Sequence, residues 1–169
     1  LAGSSAASDV YKRQDKEVIS FVGDGSYLLN NTDIYSSVIT KNKLIIIVCD
    51  NGGFAVINRL QLFKGGKEYN NLLKSSNTPG LVDVDFAKHA ESMGAKSEHV
   101  TSISDLEAAF KRAKASDVTY VISIKTHAYK WVEGSSFWDS PTLEIPTTKE
   151  NEEALKLYKE EKGKQRQGV

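Results

Sequence analysis

The sequence predicts an α/β fold, an open and mostly parallel sheet with helices on both faces. Two short runs, Val18-Ile19-Ser20-Phe21-Val22 and Leu44-Ile45-Ile46-Ile47-Val48-Cys49, are β-branched and largely apolar along their whole length. Strands covered on both sides need that composition, whereas a half-solvated strand would alternate. A third run, Val118 to Ile124, has the same character. Helically spaced apolar residues separate the runs, and strands alternating with helices indicate parallel pairing with crossover connections.

Taken in order, Leu1 to Gln14 is small and polar, starts no regular element, and reads as a linker or a non-native start. A flexible native terminus is the alternative. The first strand stops at Gly23-Asp24-Gly25. Ile34, Tyr35, Val38 and Ile39 then carry helical spacing over residues 31–40, with Asn30, Asn31 or Thr32 as candidate cap. Lys41-Asn42-Lys43 ends that helix before the second strand, which runs into Asp50-Asn51-Gly52-Gly53.

Phe54 to Leu62 is apolar enough to fold back on the sheet, and residues 67–80 form a long polar loop. Phe86, Ala87, Ala90 and Met93 mark an amphipathic helix over residues 84–94, closed by Gly94, with His89 on its solvated side. Glu98-His99-Val100 forms a short strand, and Ser104-x-x-Glu107 opens the next helix as a capping box. Tyr129, Trp131 and Phe137-Trp138 read as aromatics that pin loops, with a substrate lid as the sharper alternative. Residues 151–167 form a charged, solvated tail helix touching the rest through Ala154, Leu155 and Tyr158. The division expected is a start of residues 1–14, one domain of residues 15–147 and a tail of residues 148–169.

The 22 Lys and Arg balance 22 Asp and Glu, and no basic run covers a face, so nucleic acid and anionic membrane are not expected partners. No apolar run reaches transmembrane length and no signal peptide is recognisable, which suits a cytoplasmic protein. Cys49 lies inside a strand and reads as a small core residue; His89, His99 and His127 are too scattered to suggest zinc.

Asp24 and Asn51 sit on loops at the carboxyl ends of two strands expected to be neighbours, the place where open α/β sheets bind ligands. One offers a charged oxygen and the other a neutral one, and the surrounding glycines leave backbone groups open. Such donors suit a hard cation such as Mg²⁺, which takes one or two carboxylates and completes its shell with phosphate and water. The helix after Gly25 turns its free amides to the same place. A metal-bridged diphosphate is the economical reading, and two ordinary β-to-α turns of a flavodoxin-like sheet are the alternative.

Gly23-Asp24-Gly25, followed after residues 26–50 by Asn51, which closes an Asp-Asn pair, resembles the signature of thiamine diphosphate enzymes. That likeness implies that Asp24, the Asn51 side chain and the Gly53 carbonyl hold Mg²⁺. It also implies that Gly25 and Ser26 face the diphosphate, that Gly23 belongs with the cofactor-binding residues, and that Phe54 to Ile57 flank the cofactor. The run from Asp15 to the last strand is similar to the pyrophosphate-binding domain of the acetolactate synthase-like superfamily. Asn51-Gly52-Gly53-Phe54 with Ile57, Val84-Asp85-Phe86-Ala87, Ala90-Glu91-Ser92-Met93-Gly94-Ala95 and Ser135-Ser136-Phe137-Trp138-Asp139-Ser140-Pro141 further resemble the trihydroxycyclohexanedione hydrolases of myo-inositol breakdown.

The resemblance implies a thiamine diphosphate- and Mg²⁺-dependent hydrolase that cleaves a carbon–carbon bond of a cyclic 1,2-dione, a small-molecule substrate. An acetolactate synthase, a 2-oxoacid decarboxylase or a non-catalytic assembly domain are the alternatives. Enzymes of this kind are longer, and carry a helix before the Gly-Asp-Gly strand and a separate pyrimidine-binding domain whose glutamate activates the cofactor. The expectation is therefore a truncated start, no catalytic residue in this chain, and no activity without that domain. A homo-oligomer is expected by the same analogy.

Overall fold

The structure is a computed structural model describing residues 17–131 and 142–165. In chain order the elements are β1 (Val18–Gly23), α1 (Asp24–Leu29), α2 (Thr32–Ile39), β2 (Leu44–Asp50), α3 (Ala55–Phe63), a single 3₁₀ turn (Leu73–Ser75), α4 (Phe86–Ser92), β3 (Lys96–Val100), α5 (Ile103–Ala115), β4 (Tyr120–Lys125) and α6 (Lys149–Gly163). They divide into two compact units. One holds the described residues as far as Phe54 together with Pro79–His127, and the other holds Ala55–Thr78 and the described residues from Ala128 onward.

The first unit is a parallel sheet in the order β1-β2-β4-β3. Its central strands explain the continuous apolar runs, because alternate residues go to opposite cores. Leu44, Ile46, Val48 and Val121 pack with Tyr27, Ile34, Phe86 and Ala90 on one face. Ile45, Ile47, Ile122 and Ile124 pack on the other face with Ala109 and Ala113 of α5. Each fully buried Ile or Val contributes about 1.5–3 kcal/mol, so this register is strongly specified: a slip of one residue would exchange the two cores. β1 departs from the expectation of double coverage. Ile19 and Phe21 are exposed, since β1 is an edge strand and no described helix covers its second face.

Several local expectations change. The helical segment after the glycine turn is two helices. α1 starts at Asp24 itself, with Gly23 extended at its N-cap, and breaks at Asn30. Of the three cap candidates Asn31 takes the N-cap position of α2, but with helical backbone angles and no side-chain cap bond, its side-chain amide donating instead to the Leu28 carbonyl at 3.1 Å. α5 is capped by Ser102 rather than Ser104. Its hydroxyl accepts the Asp105 amide at 3.1 Å and donates to the Asp105 carboxylate at 2.6 Å, in place of the box that Glu107 was expected to make. α4 starts at Phe86 behind an Asp85 cap that accepts the Lys88 amide. His89 is half-buried rather than fully solvated: its Nδ1 lies 2.9 Å from the buried Tyr27 hydroxyl, and the two rings meet edge to face.

In the second unit, the segment after Gly53 is the helix α3, and the loop that follows holds only the 3₁₀ turn. α6 is largely exposed with Ala154, Leu155 and Tyr158 half-buried, as expected, and it is in addition anchored at its start. Thr148 caps it by accepting the Asn151 amide, and the buried Asn151 side chain donates to the Gly65 carbonyl at 2.9 Å. The Tyr129 hydroxyl donates to Glu68, and Arg59 lies over the Trp131 ring. The linker-like start and the Phe137-Trp138 segment lie outside the described residues.

Candidate metal and diphosphate site

Parallel pairing of β1 with β2 sets Gly23 beside Cys49, so the turns that follow leave neighbouring strands at nearly the same height. Asp24, the first residue of α1, and Asn51, immediately after β2, are thereby brought to one end of the sheet. Asp24 is only 4% exposed. Its Oδ2 accepts the Gly53 amide at 2.6 Å, while Oδ1 is buried without a hydrogen-bond partner. Asn51 Oδ1 is also buried and unpartnered. An orphaned buried acceptor costs about 1–3 kcal/mol, and more when charged. Two such hard oxygens on adjacent turns have the chemistry that suits a hard cation.

Burial is the main cause that raises the Asp24 carboxyl above its ordinary value; the Gly53 amide opposes it and the nearby Asp50 charge adds to it. A cation at Oδ1 would relieve both of the raising causes. Gly52 and Gly53 have φ of 78° and 137°, backbone that favours glycine, and this fold of the turn aims the Gly53 amide at Asp24. Gly25 is needed for space: a Cβ there would stand 2.6 Å from Cε1 of the Phe54 ring. Ser26 is exposed on α1, Gly23 is half-buried, and Phe54 is half-exposed over Gly25. Ile57 belongs to α3 of the second unit and is half-exposed.

Sequence reasoning missed Asp50 and Lys125. Asp50 ends β2 with its side chain buried, its Oδ1 accepting the Gly52 amide at 3.0 Å and its Oδ2 pairing with Lys125 Nζ at 2.6 Å. Lys125 also donates to Asp83 at 2.8 Å, and the bonds to Asp50 and Asp83 raise its ammonium above lysine's ordinary value. The signal available was an aspartate closing an otherwise apolar strand, with a lysine closing the last one.

The family described as "Thiamine pyrophosphate enzyme, C-terminal TPP binding domain" matches residues 1–124. Among curated proteins, the chain is 34% identical over 146 residues to the 3D-(3,5/4)-trihydroxycyclohexane-1,2-dione hydrolase of Bacillus licheniformis, covering 86% of the chain and 22% of the relative. It is 32% identical over 145 residues to the Bacillus subtilis protein of the same name, covering 85% and 22%. The chain thus spans about a fifth of the length of these relatives. Among solved structures, the thiamine diphosphate-dependent 4-hydroxybenzoylformate decarboxylase of Rhodococcus jostii RHA1 aligns with a TM-score of 0.59 at 28% identity, covering 72% of this chain and 22% of that one. Benzoylformate decarboxylase from Polynucleobacter necessarius, at 23% identity and TM-score 0.58, covers 75% and 23% and shares the fold.

Proposed function

The chain belongs to the thiamine pyrophosphate enzymes, as their C-terminal TPP-binding domain, and from that premise we propose that it is the cofactor-binding part of a hydrolase that opens a trihydroxycyclohexanedione ring. The hydrolase relatives support this choice of substrate. The single observation that carries the metal site is the pair of buried, unpartnered oxygens, Asp24 Oδ1 and Asn51 Oδ1, at the ends of adjacent strands.

Those donors fit Mg²⁺, being hard oxygens with one charge between them. Asp24, the Asn51 side chain and the Gly53 carbonyl hold the ion in this reading, and Gly23, Gly25 and Ser26 line the diphosphate. Phe54 and Ile57 flank the rest of the cofactor. When bound, thiamine diphosphate supplies an electron sink for breaking the carbon–carbon bond. The residues of this chain bind and orient; none is assigned a proton transfer. Residues 15–147 form the cofactor domain in this reading, with residues 1–14 as a linker-like start and residues 148–169 as a tail. The domain works in the cytoplasm as part of a homo-oligomer, against a pyrimidine-binding domain that supplies the activating glutamate.

Thiamine diphosphate titrated calorimetrically into the chain tests the site. Heat that appears with Mg²⁺, vanishes with EDTA and is absent in Asp24→Ala of unchanged circular dichroism is the expected result; equal binding in EDTA would overturn it. For the substrate, residues 15–169 replace the matching segment of the Bacillus subtilis relative. Retained hydrolysis of the dione is expected. The decarboxylase likeness of the Rhodococcus structure favours a second reading, in which the chimera releases carbon dioxide from a 2-oxoacid and leaves the dione intact.

A further inference from the structure

Resting on the metal reading above, the geometry points to Lys125 as a positioning residue: paired with Asp50, it keeps that carboxylate out of the cation's shell, so that Asp24 alone supplies protein charge and the diphosphate finds room. Asp50 is joined by a peptide bond to the proposed ligand Asn51, and three contacts fix it. Its main-chain oxygen accepts the Thr126 amide at 2.7 Å, its Oδ1 accepts the Gly52 amide at 3.0 Å, and its Oδ2 meets Lys125 Nζ at 2.6 Å. The register of β2 with β4 pairs Asp50 with Lys125 directly, so the ammonium is delivered by the sheet itself. Asp83 holds the same ammonium from its other side at 2.8 Å.

The reason a clamp is needed is chemical. A hard divalent cation takes whatever carboxylates lie in reach. Asp50 adjoins the proposed ligand Asn51 with its side chain buried, and its charge is among the causes that raise the Asp24 carboxyl. Two carboxylates in the shell would occupy positions that phosphate oxygens require, and would repel the anionic diphosphate. Removing Lys125 leaves a buried, uncompensated anion beside the site, and of its side-chain contacts the Oδ1 bond to the Gly52 amide is the one that remains. The two ligand classes should therefore respond in opposite directions, metal alone gaining and diphosphate losing.

Mn²⁺ binding to the chain, read by electron paramagnetic resonance with and without thiamine diphosphate, tests this. In Lys125→Met, Mn²⁺ alone binds at least as tightly as in the wild type, whereas thiamine diphosphate affinity at saturating Mn²⁺ falls about tenfold. Lys125→Arg, which keeps the charge, restores it. Asp50→Asn in the Lys125→Met background also restores it, because no second carboxylate remains to be held. Equal weakening of metal and diphosphate, with no recovery in the double variant, marks a merely structural role and overturns the inference, as does unchanged diphosphate affinity in Lys125→Met. Metal-dependent binding that is missing from the wild type, or that survives in Asp24→Ala, instead overturns the site reading itself.

Discussion

Gly65→Ala is the substitution whose cost follows most directly from the structure. Gly65 closes α3 at φ 79°, and a Cβ there would stand 2.5 Å from the Glu150 carbonyl oxygen, 2.7 Å from its carbon and 2.9 Å from the Asn151 nitrogen. All three atoms are backbone, so no side-chain rotation relieves the contact. Left-handed geometry costs an alanine about 1–2 kcal/mol. Backing α6 away gives up the 2.9 Å bond from Asn151 to the Gly65 carbonyl and leaves a buried amide unsatisfied, about 1–3 kcal/mol. The total, about 2–5 kcal/mol, is an increase of about 30-fold to several thousand-fold in the population with α6 released. Native-state hydrogen exchange of the Lys149–Gly163 amides reads that population directly. Gly163→Ala is the control, since a Cβ there meets nothing within 4 Å. Protection of α6 in Gly65→Ala that stays within about threefold of the wild type, less than 1 kcal/mol, would refute the docking argument.

Glu98 has its carboxyl held below its ordinary value by Arg112 first and the Tyr120 hydroxyl second. A carboxylate lowered on folding contributes stability above its unfolded value near 4.5 and loses it as pH falls through the folded value. Glu98→Gln should therefore cost about 0.5–1 kcal/mol at neutral pH, and the urea-denaturation difference from the wild type should close as acid is added; a difference that widens would contradict the sign. Tyr27→Phe removes only the hydroxyl bonded to His89 at 2.9 Å and should lower stability by about 1 kcal/mol at an unchanged denaturant slope. Gly25→Ala displaces the half-exposed Phe54 ring. Its melting temperature should barely move, while metal-dependent thiamine diphosphate binding drops about tenfold or more; a large loss of stability with binding intact would contradict that assignment.

What could be read from the chain, and what could not, divides by the range of the interaction. β2 and β4 were legible because burial on both faces leaves a local mark, an unbroken apolar run. The break between α1 and α2 was not, because Asn30 and Asn31 satisfy cap and turn chemistry equally well, and the outcome rests on burying both Tyr27 and Ile34 on one face. Ser102 and Ser104 are both capping residues by type, and only the backbone decides which is extended. His89 looked solvated because its partner, Tyr27, is distant in sequence. Asn151 carries no signal that it reaches Gly65.

The candidate site shows the same division within a few residues. Asp24 and Asn51 stand out because each follows an apolar run, lies among glycines and sits at the matching end of its strand, and the separation between them follows from the sheet. Residue for residue, β2 climbs beside β1 from Leu44 opposite Val18 to Cys49 opposite Gly23. Residues 24–43 have only to return the chain to the bottom of the sheet, so their number reflects two short helices and a turn rather than the metal. What holds the pair at one height is the strand register, and what enforces the register is the double-sided core of β2. The isoleucines of β2 touch no ligand in this account, yet they place Asn51 beside Asp24. Asp50 and Lys125, which balance the charge around that pair, come together only when β4 is laid against β2, a pairing that no local pattern announces.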